Sequence, residues 1–151
     1  MSETAGDDPA VPIEILLVED DPGDVLITRE AFEEHKVRNR ISVCTDGADA
    51  LRFLRREPPH AAAPRPDILL LDLNLPGVDG RAVLAAVHAD PQLNAIPVVV
   101  LTSSTAEEDV LRSQELRVDT YIRKPVDFAS LMHVVRRIET FYISVRRSLS
   151  A

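Results

Sequence analysis

The sequence holds one cysteine, Cys44, in 151 residues. That excludes an intrachain disulfide and a multi-cysteine metal cluster, and Cys44 reads as a small buried apolar residue. No apolar run approaches the ~18–20 residues that a membrane span requires, and the polar, acidic start from Met1 to Ala10 is unlike a secretory signal. Basic residues are outnumbered: 17 Lys and Arg against 25 Asp and Glu leave a net charge of −8. Nucleic acid and anionic lipid would repel such a chain, so neither is expected as a partner. A glycine-rich loop of the P-loop type is also missing, and His35, His60, His88 and His133 show no metal-ligand spacing. What is present, 45% hydrophobic and 28% charged residues, can fill one core of ordinary domain size. The expectation is a compact cytoplasmic domain.

Met1 to Pro12 carry Glu3, Asp7 and Asp8 with no basic residue and read as a flexible acidic tail. The domain proper is expected over residues 13–142, with 143–151 extending the last helix into a short tail. Ile13 to Val18, Ile68 to Leu71 and Ile96 to Leu101 are apolar runs without polar alternation, as suits strands buried on both faces of a parallel sheet. Weaker strands fit Ile41 to Cys44 and Thr120 to Ile122. Helical patterns lie between them: Asp24 to Lys36, Gly47 to Arg56, a stretch entered after Asp79-Gly80 and left before Asp90-Pro91, and one starting near Ala106, where Glu107 and Glu108 suit the positive helix start. The last pattern, Leu131, Val134, Val135, Ile138, Phe141 or Tyr142, and Val145, keeps the helical period to its end. Five strands alternating with five helices make an α/β doubly wound domain. The proline-bearing segment from Glu57 to Asp67 is a longer loop than a minimal unit needs.

In an open α/β sheet, ligands bind outside the carboxyl ends of the strands. Glu19, Asp20 and Asp21 follow the first run, Asp72 the third, Thr102 the fourth, and Lys124 with Pro125 the fifth. Any one of these alone reads as well as a solvated charge or a helix cap. Together they converge on one sheet edge, which scattered surface charges have no reason to do. Clustered carboxylates repel one another unless a cation neutralises them, and oxygen-only ligands suit a hard ion such as Mg²⁺. A carboxylate beside such an ion can attack phosphorus to give an aspartyl phosphate. Phosphoryl transfer then needs positioning and charge neutralisation, which Lys124 and the Thr102 hydroxyl can supply.

The segments Ile15 to Pro22, Asp72 to Gly80, Val100 to Ser104 and Tyr121 to Pro125, in this order and spacing, resemble the receiver domains of two-component response regulators. The resemblance spans roughly Glu14 to Tyr142 and implies a flavodoxin-like (βα)5 sandwich with strand order 2-1-3-4-5. It implies that Asp72 is the phosphoacceptor, served by a histidine kinase or a phosphotransfer protein. Asp20 and Asp72 would ligate Mg²⁺ directly, Glu19 through water, and Asn74 through its backbone carbonyl. Lys124 would pair with phosphoryl oxygens, and the Lys124–Pro125 bond would be cis. Thr102 and Tyr121 would form a switch pair. Asn74 and Ser104 match positions that tune the lifetime of the phosphoryl group. On this reading the chain is a signalling phosphoacceptor that assists its own phosphorylation and dephosphorylation, not a turnover enzyme.

A narrower resemblance, carried by Asp21 to Asp24, the proline-bearing loop and Lys124 to Phe128, is to small regulators paired with cyanobacterial phytochromes. It implies a phytochrome as a candidate kinase. Few residues follow Phe141, so no output domain is expected, and signalling should pass through protein contacts. Phe141, Tyr142, Ile143 and Val145 crowd apolar groups around the terminal helix, which suggests a symmetric homodimer through it. Two other readings compete. An aspartate-nucleophile phosphatase or phosphotransferase of the haloacid dehalogenase kind wants a second carboxylate two residues after its nucleophile, where this chain has Asn74. A flavin-binding flavodoxin-like protein would bring a phosphate to the first loop, where Glu19, Asp20 and Asp21 would repel it.

Overall fold

The computed structural model describes residues 12–34, 39–102, 105–113, 118, 120–123, 129–130 and 133. Five strands, β1 (Ile13–Val18), β2 (Asn39–Cys44), β3 (Ile68–Asp72), β4 (Val98–Thr102) and β5 (Thr120–Arg123), form one parallel sheet in the order β2-β1-β3-β4-β5. Between them run α1 (Pro22–Glu34), α2 (Gly47–Arg55), α3 (Gly80–Ala89) and α4 (Thr105–Ser113). This is the flavodoxin-like order the sequence implied. The fifth helical pattern falls almost wholly outside the described residues, of which Ala129, Ser130 and His133 are helical. Ser104, Lys124, Pro125, Phe141, Tyr142, Ile143 and Val145 also lie outside them, as does the expected acidic tail apart from Pro12.

The unalternating apolar strands are explained by two separate cores. Because successive side chains point to opposite faces, Ile13, Ile15 and Leu17 of β1 join Phe32 of α1 on one side, with Leu70, Val99 and Leu101. Leu16 and Val18 point the other way, into a larger core with Leu69, Leu71, Val98 and Val100, closed by Phe53 and Leu54 of α2, Val83, Leu84 and Val87 of α3, and Leu111 of α4. Burying both faces of β1, β3 and β4 leaves only the strand ends open to solvent.

Element boundaries moved where hydrogen bonds compete with periodicity. Helix α1 starts at Pro22, two residues ahead of the expected Asp24, because Asp21 caps it: its Oδ1 accepts the Gly23 N–H at 2.8 Å and its carbonyl the Val25 N–H at 3.1 Å. Proline fits the first helical position because it has no N–H to leave unpaired. Strand β4 begins at Val98 and not Ile96, whose N–H turns back to the Leu93 carbonyl at 3.0 Å. Asp46 and Asp79 cap α2 and α3, accepting from Asp49 N–H at 2.8 Å and Ala82 N–H at 3.0 Å. Among the described residues no helix is long and apolar enough to cross a membrane.

Candidate functional site

Three carboxylates meet at the carboxyl edge of the sheet. Glu19 and Asp20 follow β1, and Asp72 is the last residue of β3 rather than the first beyond it. One oxygen from each lies within 4.8 Å of the others. Glu19 and Asp72 are buried, at 0% and 1% exposure, whereas Asp20 is exposed and so opens the group to solvent. β1 and β3 are adjacent parallel strands with Val18 opposite Leu71, so the register itself brings these strand ends together.

Backbone amides orient the acids. Asp21 N–H donates to Glu19 Oε2 at 3.1 Å, and Asn74 N–H donates to Asp72 Oδ1 at 3.0 Å. The latter bond folds the chain into a tight turn after β3 and holds the Asp72 carboxylate at the strand end. Gly80 then lets α3 approach: a Cβ there would collide with the Asp72 carbonyl oxygen and lie 2.6 Å from Leu73 Cα, while its N–H donates to Leu73 O at 3.0 Å. The donor set consists only of oxygens, carries three formal negative charges when ionised, and is reached through exposed Asp20. Such a set fits a hard divalent cation, and a cation among the carboxylates removes their mutual repulsion.

Thr102 ends β4, neighbouring β3 with Asp72 opposite Leu101, and it is fully buried. Its Oγ1 donates to Glu108 Oε2 over a long 3.4 Å. Tyr121 in β5 is half-buried against the larger core, with the Arg112 guanidinium 5.1 Å from its ring centroid. Burial raises the Tyr121 hydroxyl above its ordinary value, Arg112 opposing this and Glu108 adding to it. Thr102 and Tyr121 are therefore joined through α4. Glu108 accepts from Thr102 and pairs with Arg112 at 3.7 Å and Arg123 at 3.6 Å. By sequence, Glu107 and Glu108 read only as acids in the first turn of α4. Helical spacing alone could have pointed to Glu108, since it falls on the same face as buried Leu111 and as Arg112.

Asn74 Nδ2 donates to Glu107 Oε2 at 3.3 Å, tying the β3–α3 loop to α4. A cavity of about 620 Å³ opens there, lined by Asn74, Leu75, Gly77, Arg81 and Glu107 among others. Of the expected site residues the structure therefore brings together Glu19, Asp20, Asp72 and Asn74, and places Thr102 and Tyr121 on the adjoining strands. Lys124, Pro125 and Ser104 lie outside the described residues. His60, which shows no ligand spacing in the sequence, has its Nε2 2.8 Å from Asp49 Oδ1. Cys44 is buried as expected.

Comparison with known proteins agrees with this geometry. Residues 15–136 match the response regulator receiver domain family. The chain is 41% identical over 132 residues to the response regulator Rcp1 of Synechocystis, covering 87% of this chain and 90% of that protein. The crystal structure of the phosphorylated cyanobacterial phytochrome response regulator RcpA is similar at a TM-score of 0.76 and 42% identity, over 89% of this chain and 96% of that one. The Mn²⁺-bound form of Rcp1 is similar at a TM-score of 0.74 and 41% identity, over 87% and 94%.

Proposed function

The chain belongs to the response regulator receiver family, and from that premise we propose that Asp72 is the residue that accepts a phosphoryl group from phosphohistidine. The observation that carries the reading is the buried Asp72 carboxylate at the end of β3, within 4.8 Å of the Glu19 and Asp20 carboxylates. An Asp72 oxygen attacks phosphorus, an O–P bond forms, and the P–N bond to the donor imidazole breaks. The leaving imidazole keeps the bonding electron pair and takes a proton from solvent. The Asn74 amide holds one Asp72 oxygen at 3.0 Å and so orients the other toward the incoming phosphorus.

Receiver domains bind a divalent metal, and here Glu19, Asp20 and Asp72 would hold it, with the Asn74 carbonyl as a further ligand; oxygen donors favour Mg²⁺. That ion supplies positive charge to the carboxylates and the phosphoryl oxygens. Thr102 would leave Glu108 to donate to the phosphoryl oxygen, with Tyr121 following it inward. Lys124 would supply a second cation, and Ser104 and Asn74 would set how long the acyl phosphate lasts. The donor would be a sensor histidine kinase, with a phytochrome kinase supported by the likeness to the cyanobacterial phytochrome response regulator RcpA, or a phosphotransfer protein. The protein would act in the cytoplasm and pair with a second copy through its last helix, which sedimentation velocity at micromolar concentration tests.

The phosphoacceptor role is tested by incubating the protein with a small phosphodonor and Mg²⁺ and measuring intact mass. One phosphoryl group should add to the wild type and none to Asp72→Asn. Equal labelling of both proteins would remove Asp72 from the role.

A further inference from the structure

A second group of ligating side chains, distinct from the three carboxylates, lies at the neighbouring strand end, where the Cys44 carbonyl accepts the Glu19 N–H at 3.0 Å. Cys44 ends β2, Asp49 is in the first turn of α2, and His60 lies in the loop after α2. One atom from each is within 4.8 Å of the others. His60 Nε2 is 2.8 Å from Asp49 Oδ1, and the Cys44 Sγ lies within 4.8 Å of ligand atoms of both. We propose that Cys44, Asp49 and His60 form a second cation site that takes a borderline-soft divalent ion of the Zn²⁺ class.

Burial argues against a nucleophilic cysteine, since Cys44 is 1% exposed and out of reach of a substrate. Burial, and then the negative charge of Asp49, push the thiol up to about 12, so it is not a reactive thiolate. The donor types point instead to a metal. One sulfur, one nitrogen and one oxygen suit Zn²⁺ and do not suit Mg²⁺. Three protein ligands leave a fourth tetrahedral position for water or another ligand. Ligand atoms around tetrahedral Zn²⁺ stand roughly 3.3–3.6 Å apart, so the cluster closes on an ion with small side-chain movements.

Support around the cluster is already in place. Asp49 N–H donates to Asp46 Oδ1 at 2.8 Å, which fixes the first turn of α2. The Phe53 ring lies 5.2 Å from the His60 ring at 57°, limiting its rotation. Arg56 Nε donates to Ala63 O at 2.9 Å and His60 N–H to Glu57 O at 2.7 Å, which pins the loop. The Asp49 and His60 side chains are 27% and 25% exposed, giving the ion a way in, while Cys44 is 1% exposed. Arg52, 3.4 Å from Asp49 Oδ1, is 42% exposed and free to turn into water when a cation arrives. Binding replaces the thiol proton, which leaves to solvent, and His60 takes the tautomer protonated at Nδ1 so that its Nε2 lone pair faces the metal.

The test uses the full chain, stripped with chelator and held in excess Mg²⁺ to occupy oxygen-only sites. Titration with Co²⁺ as a spectroscopic stand-in for Zn²⁺ should give one equivalent bound with sulfur-to-cobalt charge-transfer absorption, displaced by Zn²⁺. Cys44→Ser should lose that absorption. His60→Ala, on an accessible loop, should weaken Co²⁺ binding by at least about tenfold, the lower end of what disturbing a metal's supporting shell costs. Asp72→Asn should bind Co²⁺ with the same absorption as the wild type, which separates this site from the phosphoacceptor. Absence of charge-transfer absorption in the wild type, or unchanged affinity in His60→Ala, would overturn the proposal.

Discussion

Replacing Gly80 by alanine tests whether the start of α3 sets the position of Asp72. The added Cβ would lie 2.6 Å from Leu73 Cα and closer still to the Asp72 carbonyl oxygen. Ordinary carbon–carbon contact begins near ~3.5 Å, so roughly 0.9 Å of separation must be found. Both obstructing groups are backbone, so no side chain can swing aside. Either α3 lifts away, straining the 3.0 Å Gly80 N–H to Leu73 O bond, or the end of β3 moves. Overpacking of this kind costs about 1–3 kcal/mol, only partly offset by the better helix propensity of alanine. A displacement near 1 Å at a reacting group can slow its chemistry by about 10²-fold. Gly80→Ala should therefore lower urea stability by about 1–3 kcal/mol and slow phosphorylation by a small phosphodonor at saturating Mg²⁺ by at least about tenfold. Gly77→Ala is the control. Gly77 has a φ of +71° and nothing within 4 Å of its would-be Cβ, so it should cost about 1 kcal/mol through backbone strain alone and leave the rate near wild type. Equal rates and stabilities for Gly80→Ala and wild type would refute the argument that this close approach fixes Asp72.

Three other outcomes follow from the geometry. Glu108→Ala removes the acceptor that holds Thr102 in the unphosphorylated arrangement; a bond worth about 0.5–1 kcal/mol should raise the phosphorylated fraction at steady state by about two- to fivefold, and a fall in that fraction would contradict the latch. Asp79→Ala removes the α3 cap and should lower the urea stability by about 1 kcal/mol without abolishing phosphorylation of Asp72. In chelator, the buried Cys44 thiol favours the folded state fully below its ordinary value near 9 and loses that contribution as pH climbs toward its folded value of about 12. Wild-type urea stability should therefore fall more steeply between pH 9 and 11 than that of Cys44→Ala, and parallel curves would show that the thiol titrates alike in the folded and unfolded protein.

What the sequence could and could not disclose divides along physical lines. The strands were legible because burial on both faces removes polar alternation, as in Leu69 to Leu71, and the acids at their ends were legible because a parallel sheet collects strand ends at one edge. Gly80 and the cap at Asp79 lie where the turn residues suggested. The boundaries at Pro22 and Ile96 were displaced because local hydrogen bonds accepted by Asp21 and by Leu93 outvote periodicity over one or two residues. Side-chain partnerships across elements were the least visible. Glu108 looks like a helix-start charge until β4 and β5 bring Thr102 and Arg123 to it.

The same limit explains why His60 showed no ligand spacing. Sixteen positions separate it from Cys44, and no helical or strand period relates the two. Their proximity is created by three independent features: the end of β2, the Asp46 cap that presents Asp49, and the return of the chain after Arg56, which adopts a left-handed φ of 57°. A non-glycine residue rarely takes that conformation unless its surroundings require it. Here the helix end does, since the Arg56 N–H donates back to the Arg52 and Phe53 carbonyls and closes α2 at the point where the chain must turn toward Cys44. A loop longer than the fold needs, anchored at Arg56 and Ala63 and carrying His60 at its inner side, is thus explained by what it delivers to the end of β2.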